Sequence, residues 1–241
     1  MVLAAARPGL RRNAAAVAAF APTSLPGLTV WFDAGQITGV TDGVAVATWQ
    51  DRSGNSANAT QATLAKQPIY RSTGVLLTPA GKPIVQFDGV SNSMSFTNTA
   101  VNNSVTIFAV ASVPSVTAAP NVFDATGTSR IQLGIRSNFW EWFENGTVSN
   151  AGSAVANTYA VINASSGTTA VVTFLNGVAG DSTSVTASTT LSSVAAIGSS
   201  AAGTSEFLAG NVAELILYNR VISAAERLQV QTYLKTKHGT P

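Results

Sequence analysis

The chain contains no cysteine and a single histidine among its 241 residues. Without cysteine it has neither a disulfide nor a thiolate ligand for a metal ion, and one histidine provides no catalytic triad or zinc site. That histidine, His238, lies near the end of a predicted helix, where we expect its cation to interact favourably with the helix dipole. These absences argue against hydrolases that use a triad and against zinc enzymes.

Charge and long apolar runs are scarce as well. Only 10% of the residues are charged, the formal net charge is +2, and the basic residues do not interleave with aromatic ones as they do in nucleic-acid-binding surfaces. No apolar run approaches the roughly 20 residues that a membrane-spanning helix requires. We therefore expect neither nucleic acid nor a membrane as a partner.

The abundant residues are Ala, Thr, Ser, Val, Asn and Gly, a composition that favours strands and turns over helices. Val105–Val113 is a continuous apolar run, typical of a central strand buried on both faces. The dipeptides Asn145-Gly146 and Asn176-Gly177 predict tight turns. Regularly spaced strands with such punctuation predict an all-β sandwich or barrel. Other predicted strands are Leu28–Asp33, Val44–Trp49, Pro83–Asp88, Ser93–Phe96, Asn121–Asp124, Arg130–Ile135, Asn138–Glu144, Thr158–Asn163, Ala170–Leu175, Thr183–Ala187, Val194–Gly198 and Phe207–Tyr218.

One helix is predicted, at the C-terminal end of the chain. Ser223 and Glu226 have the spacing of a capping box, in which the two side chains bond the first free backbone N–H groups. Val230, Tyr233 and Leu234 then form one apolar stripe, and Gly239 is predicted to end the helix.

The first 24 residues differ in composition from the rest of the chain. A short alanine-rich run follows Arg11 and Arg12, but its weak hydrophobicity and the preceding Pro8-Gly9 disfavour a cleaved signal peptide. We expect residues 1–24 to form an assembly arm that contacts a neighbouring subunit or partner. The candidate contact residues in this arm are Arg7, Arg11, Arg12 and Phe20.

The stretch from Trp49 to Gln61 is predicted to be a strand end followed by a polar turn. Asp51, Ser53 and Asn55 have the alternating oxygen spacing of a calcium loop, but the glycine and the closing glutamate of an EF-hand are missing. We therefore interpret Asp51, and also Asp88, Asp124 and Asp181, as residues that cap turns. No metal site and no cofactor are predicted, and calcium is left as an unsupported possibility.

The aromatic cluster from Phe139 to Phe143 is the best candidate for ligand recognition. Strand alternation places Trp140 and Trp142 on one face and the two phenylalanines on the other. The tryptophans are predicted to bind a ligand, because such rings stack on sugars and anchor protein interfaces. A strand buried on both faces is the alternative.

The two glutamates of this cluster, Glu141 and Glu144, are three positions apart. On a strand they point to opposite faces and cannot flank one glycosidic bond, so we predict that the chain is not an enzyme.

Several motifs together resemble the concanavalin A-like lectin/glucanase superfamily, and in particular its laminin-G-like domains from phage structural and bacterial surface proteins. The resemblance covers about residues 25–239. It implies an antiparallel two-sheet jelly-roll sandwich with one short C-terminal helix, in which ligands bind on a concave sheet face or its rim loops. The motifs are Leu28–Ala34, Trp49–Gln61, Gln67–Tyr70, Lys82–Gly89, Gly210–Arg220 and Ser223–Arg227.

Fold membership does not determine function, and two hypotheses remain. The first is a non-catalytic virion protein of a bacteriophage, such as a capsid decoration, head-fibre or tail-associated subunit. Its expected partners are other virion subunits, including copies of itself, and host-surface glycans. The second is a secreted or surface-bound bacterial carbohydrate-binding module. The first hypothesis places the protein in the virion, and the second places it outside the cell or on its surface.

Overall fold

The computed structural model describes residues 20–97, 104–127, 130–185 and 191–241. Short 3-10 turns lie at Pro22–Ser24, Ala34–Gln36 and Leu64–Lys66. One α-helix, α1, spans Ala224–His238. The strands, in chain order, are β1 (Leu28–Asp33), β2 (Thr48–Trp49), β3 (Ala59–Thr60), β4 (Ile69–Arg71), β5 (Ile84–Asp88), β6 (Met94–Thr97), β7 (Val105–Ser112), β8 (Asn121–Gly127), β9 (Arg130–Arg136), β10 (Phe139–Glu144), β11 (Thr147–Ser153), β12 (Ala160–Ser166), β13 (Ala170–Leu175), β14 (Val178–Ser184), β15 (Leu191–Ile197) and β16 (Ala209–Tyr218).

The strands form two antiparallel sheets of eight strands each. Sheet A has the order β14-β13-β12-β7-β16-β5-β4, and β1 pairs with the far end of the long strand β16. Sheet B has the order β11-β10-β9-β8-β15-β6-β3-β2. This architecture confirms the predicted class of an antiparallel two-sheet sandwich with one C-terminal helix.

The core has two parts because sheet A is covered on both faces. The larger cluster fills the space between the sheets, and the smaller one lies beneath α1 on the outer face of sheet A. Strand β7 contributes to both, with Ile107 and Ala109 in the first and Phe108 and Val110 in the second. All eight of its residues are buried, as the continuous apolar run predicts.

Helix α1 begins and ends where the sequence predicts. Ser223 and Glu226 form the capping box. Gly239 ends the helix in the left-handed conformation with φ of 69°, a backbone geometry that glycine adopts without strain. Val230 and Leu234 face sheet A from the buried side. Among the described residues, no helix is long and apolar enough to span a membrane.

Several segments differ from the strand prediction, and β3 and β4 were not predicted as strands at all. Only Thr48–Trp49 of the predicted strand Val44–Trp49 is a strand, since Ala45 makes a single bridge to Ile69. Strand β14 ends at Ser184, and residues 186 and 187 of the predicted strand lie outside the described residues. The sequence analysis missed β11, because its small, mostly polar residues show no apolar alternation.

Candidate functional site

Trp140 and Trp142 lie in the core between the two sheets, with exposed fractions of 1% and 0%. The indole N–H of Trp142 donates to Glu144 at 2.9 Å, so even its polar atom is bound inside the protein. A ligand cannot stack on a ring that is fully enclosed by protein. The prediction that these two residues bind a ligand is therefore wrong, and the alternation of β10 turns its other face outward.

That outward face carries the two phenylalanines. Phe139 is 38% exposed and pairs with Arg136 on β9, while Phe143 is half-buried and pairs with Gln132. Residues paired across antiparallel strands point to the same side of the sheet. The outer face of sheet B therefore combines aromatic rings with long polar side chains.

A group of charged side chains lies next to these rings, on β8 and β9. Asp124 is fully buried, and the Arg130 guanidinium donates to its carboxylate through Nη2 at 2.5 Å and Nε at 3.1 Å. Burial raises the pKa of Asp124, as does the charge of Glu206, whereas the hydrogen bond and charge of Arg130 act in the opposite direction. Solvent reaches this ion pair only from the Arg130 side, because the Arg130 side chain is 34% exposed and Asp124 is buried.

Glu206, from the loop between β15 and β16, completes this group. Its carboxylate accepts hydrogen bonds from Asn121 Nδ2 at 2.9 Å, Gln132 Nε2 at 3.2 Å, Arg136 Nη2 at 3.0 Å and the Arg130 guanidinium. We call these four donor residues the Glu206 cradle. They come from two adjacent strands and meet on one carboxylate, so the polar surface is held rigidly in place.

A cleft of about 180 Å³ adjoins the cradle on the same face. The two are continuous because Ala196 of the cleft pairs with Asp124, and the backbone N–H of Ala201 bonds the Asp124 carboxylate. The residues that line the cleft include Gln61, Thr63, Lys66, Ser93, Ser95 and Gly203. The walls of the cleft therefore carry hydroxyl, amide and ammonium groups.

The candidate site is thus a strip across the outer face of sheet B. It extends from the cleft beside β6, across the cradle on β8 and β9, to the phenylalanines on β10. These strands are four steps apart in the sheet order, which corresponds to roughly 19 Å at the usual strand spacing. A strip of this length accommodates an extended, polyhydroxylated ligand better than a single small molecule.

Glu141 and Glu144 lie on opposite faces of β10, as alternation predicts. Glu141 is on the outer face, 4.0 Å from the Arg136 guanidinium, and burial raises its pKa against the charge of Arg136. Glu144 points into the sandwich and also accepts a hydrogen bond from the Ser166 hydroxyl. These two carboxylates cannot act on one bond.

Two of the four aspartates predicted to cap turns do so. Asp51 accepts from the backbone N–H groups of Trp31, Ser53 and Ala57, and Asp88 accepts from those of residues 90–92. Among the described residues, no group of three His, Cys, Asp or Glu side chains is placed to hold a metal ion.

The interpretation is wrong for Asp124 and Asp181, which lie within strands. Asp124 holds Arg130, and Asp181 on β14 accepts from the Asn150 N–H of β11 at 3.0 Å, joining the two sheets along one side. Neither contact is visible in the sequence, because both depend on which strands become neighbours.

His238 does not lie at a frayed helix end. It is 1% exposed, and its Nε2 is 2.8 Å from Oε2 of Glu214, a fully buried residue of β16. Lys237 Nζ donates to the same oxygen at 2.6 Å, and Trp31 Nε1 and Tyr233 OH donate to Oε1 at 2.7 and 2.9 Å. His238 thus lies in the last turn of α1, as predicted, but it is buried there, because α1 turns this face toward sheet A and the cluster anchors the helix.

Of the predicted arm residues, Phe20 lies within the described residues. Its ring packs on Tyr233 of α1, with a centroid distance of 5.9 Å, and the Tyr218 hydroxyl donates to the Pro22 carbonyl at 3.0 Å. Residues 20–24 thus contact their own domain. Arg7, Arg11 and Arg12 lie outside the described residues.

The sequence analysis missed the Glu206 cradle. The one available signal was the alternation of polar residues at 130, 132 and 136 on β9, which marks a solvent-facing strand face. Glu206 and Asn121 gave no signal, since they approach β9 only after the sheets have formed.

No protein-family model matches the chain, and no curated protein matches its sequence. Solved structures do resemble it. Trypanosoma rangeli sialidase in complex with sialic acid has a TM-score of 0.61 at 14% identity, over 90% of this chain and 34% of that one. The binding domain of botulinum neurotoxin DC in complex with SialylT has a TM-score of 0.56 at 12% identity, over 86% of this chain and 51% of that one. The binding domain of Paraclostridial Mosquitocidal Protein 1 has a TM-score of 0.64 at 12% identity, over 92% of this chain and 56% of that one.

At these identities the similarity shows a shared fold alone, the two-sheet β-sandwich. The chain spans about a third of the sialidase and about half of each binding domain. The site described above is therefore the basis on which a function can be assigned.

Proposed function

We propose that this chain is a non-catalytic, laminin-G-like domain that binds glycans on the outer face of sheet B. The observation that carries the proposal is the position of the exposed Phe139 ring beside Arg136, its partner on β9. Sugars present an apolar C–H face and an edge of hydroxyl groups. An aromatic ring next to a fixed guanidinium group complements both.

The strip has the polar character that sugar recognition requires. The side chains of Gln61, Ser93 and Ser95 line the cleft, and the partly exposed Arg136 guanidinium belongs to the cradle on the same face. Phe139 supplies the apolar contact at the other end. Such a mixture fixes the orientation of a ligand without a deep pocket.

The structural similarities support the same ligand class. The Trypanosoma rangeli sialidase structure contains sialic acid, and the botulinum neurotoxin binding domain is in complex with SialylT. Those ligands belong to those proteins. For this chain they favour a glycan over a peptide or a lipid.

The arrangement of carboxylates supports binding without catalysis. Asp124 and Glu206 both bond the Arg130 guanidinium, and Glu141 and Glu144 lie on opposite faces of β10. Acid–base hydrolysis of a glycosidic bond requires two carboxyl groups that flank the same bond. In the candidate site Asp124 and Glu206 are both engaged by the Arg130 guanidinium and by the Asn121 amide.

Phe139→Ala is expected to weaken glycan binding about tenfold, the loss typical of an aromatic contact residue. The measurement is calorimetric titration with the glycan that the wild-type chain retains most strongly on a glycan array. Leu228→Ala is the control, because Leu228 is an exposed apolar residue on α1, at the opposite side of the sandwich. Equal affinities for wild type and Phe139→Ala would refute this location for the site.

We further propose that the domain serves as a structural subunit of a bacteriophage particle, with copies of itself among its partners. The low charge, the Ser/Thr/Ala-rich composition and the distinct first 24 residues support this setting. A secreted or surface-bound carbohydrate-binding module is the alternative, and it predicts a monomer.

Removal of residues 1–19 is expected to lower the oligomeric state while the domain stays folded, because Phe20 and Pro22 keep their contacts with α1 and β16. Light scattering after size-exclusion chromatography, with electron microscopy of the intact assembly, measures the change. An intact chain that is already monomeric would favour the secreted module.

A further inference from the structure

The Glu206 cradle has the form of an anion site that is already occupied. Asn121, Arg130 and Gln132 donate to one oxygen of the Glu206 carboxylate, and Arg136 donates to the other. Several donors that converge on a planar carboxylate, two of them guanidinium groups, are the usual basis of carboxylate recognition.

The occupant is held by its backbone as well as by its side chain. Glu206 has φ of 54°, in the left-handed region that non-glycine residues seldom adopt. Its carbonyl accepts from the Asn121 N–H at 3.1 Å, which fixes the loop over the sheet independently of the carboxylate. Strain of this kind persists where the surroundings dictate the conformation, and it is common at binding sites.

The cradle is within reach of a ligand. The side chains of Arg130, Arg136 and Glu206 are 34%, 25% and 28% exposed. Together with Asp124 and Glu141, the group contains three carboxylates and two guanidinium groups. An acidic sugar that approaches this face would meet donors already in use and an excess of negative charge.

We infer that Glu206 is a specificity-determining residue: its carboxylate fills the site that a sugar carboxylate would take, and so restricts the domain to uncharged glycans. This inference rests on the proposed glycan-binding function of the same face. Loss of the Glu206 side chain removes the acceptor that the four donors share and opens an anion site, while their remaining bonds, to Asp124 and around Arg136, keep them in place.

Glu206→Gly tests this, because glycine suits the positive φ and the backbone contact with Asn121 is retained. The probe is free N-acetylneuraminic acid. Its binding is measured by NMR titration, from the shifts of the Nε–H signals of Arg130 and Arg136. The expected result is a gain in affinity over wild type on the order of tenfold. Glu141→Gln is the control, since it removes one negative charge from the same face outside the cradle.

A Glu206→Gly variant that binds the acid no better than wild type would overturn the inference. An equal gain in Glu141→Gln would also overturn it, because net charge alone would then explain the effect. Parallel titrations with lactose and 3′-sialyllactose separate this inference from the proposed function. If neither sugar binds any variant, the proposed function fails, while a gain for the free acid in Glu206→Gly still establishes the vacant anion site.

Discussion

Trp142→Ala is expected to lower the free energy of unfolding by about 3–5 kcal/mol, the usual cost of removing a large aromatic side chain from a core. Trp142 is fully buried between the sheets. The substitution leaves a cavity, and it also removes the indole N–H that donates to the buried Glu144 at 2.9 Å. For a chain of this length the melting temperature should fall by roughly 10 °C.

The control for this experiment is Phe139→Ala on the same strand. Phe139 faces outward and is 38% exposed, so its removal should affect stability much less than the loss of Trp142. Thermal and urea denaturation of both variants measure the difference. A Trp142→Ala chain as stable as wild type but deficient in ligand binding would contradict the buried position of this residue and restore its predicted role in recognition.

Glu214→Gln is expected to destabilise the protein by about 3 kcal/mol, because Lys237 loses one of its two buried carboxylate partners and keeps only Asp33. Both carboxylate oxygens of Glu214 accept hydrogen bonds, from Trp31 and Tyr233 on one side and from Lys237 and His238 on the other. An amide cannot accept at both ends, so two donors beneath α1 lose their acceptor.

Gln229→Glu is the control, because it replaces an amide by a carboxylate on the exposed face of the same helix. Its unfolding free energy should remain within about 0.5 kcal/mol of wild type, as is usual for surface substitutions. Chemical denaturation of both variants, with hydrogen exchange of the α1 amides, is the measurement. Equal stability of Glu214→Gln and wild type would show that the cluster does not anchor the helix.

The same cluster predicts the effect of acid. Burial favours a higher pKa for Glu214, but the hydrogen bond from His238 and the charge of Lys237 outweigh it and lower the pKa below 4.5. A lowered carboxyl pKa stabilises the folded state above the unfolded value, and this contribution disappears as the pH falls through the folded-state pKa. The advantage of wild type over Glu214→Gln should therefore be full at pH 6 to 7 and shrink below about pH 4.5.

The sequence was sufficient for features that depend on local patterns. The apolar run of β7, the turn at Asn145-Gly146 and the cap of α1 each follow from a few adjacent residues, and the structure confirms all three. Strand β11 was missed because its small, mostly polar residues show no apolar alternation, although Ala151 lies in the core and Asn150 bonds Asp181 of β14. Tertiary contacts determine such an edge strand more than its own residues do.

The candidate site was less accessible to sequence reasoning. Alternation correctly separated the tryptophans from the phenylalanines of β10, but it does not reveal which face meets the second sheet. Glu206 and Asn121 are separated by 85 positions in the chain and meet only through the pairing of β8 with β15. A site assembled by sheet order becomes visible only once that order is known.

The central claim is that the outer face of sheet B binds an uncharged glycan. The most direct measurement is an NMR titration of the full wild-type chain with the neutral oligosaccharide it retains best on an array, with backbone and side-chain signals assigned. We expect shift changes concentrated at Phe139, Gln132 and Arg136 and along the cleft lined by Gln61 and Ser95. Shift changes confined to the residues of α1, or no retained glycan at all, would contradict binding at this face.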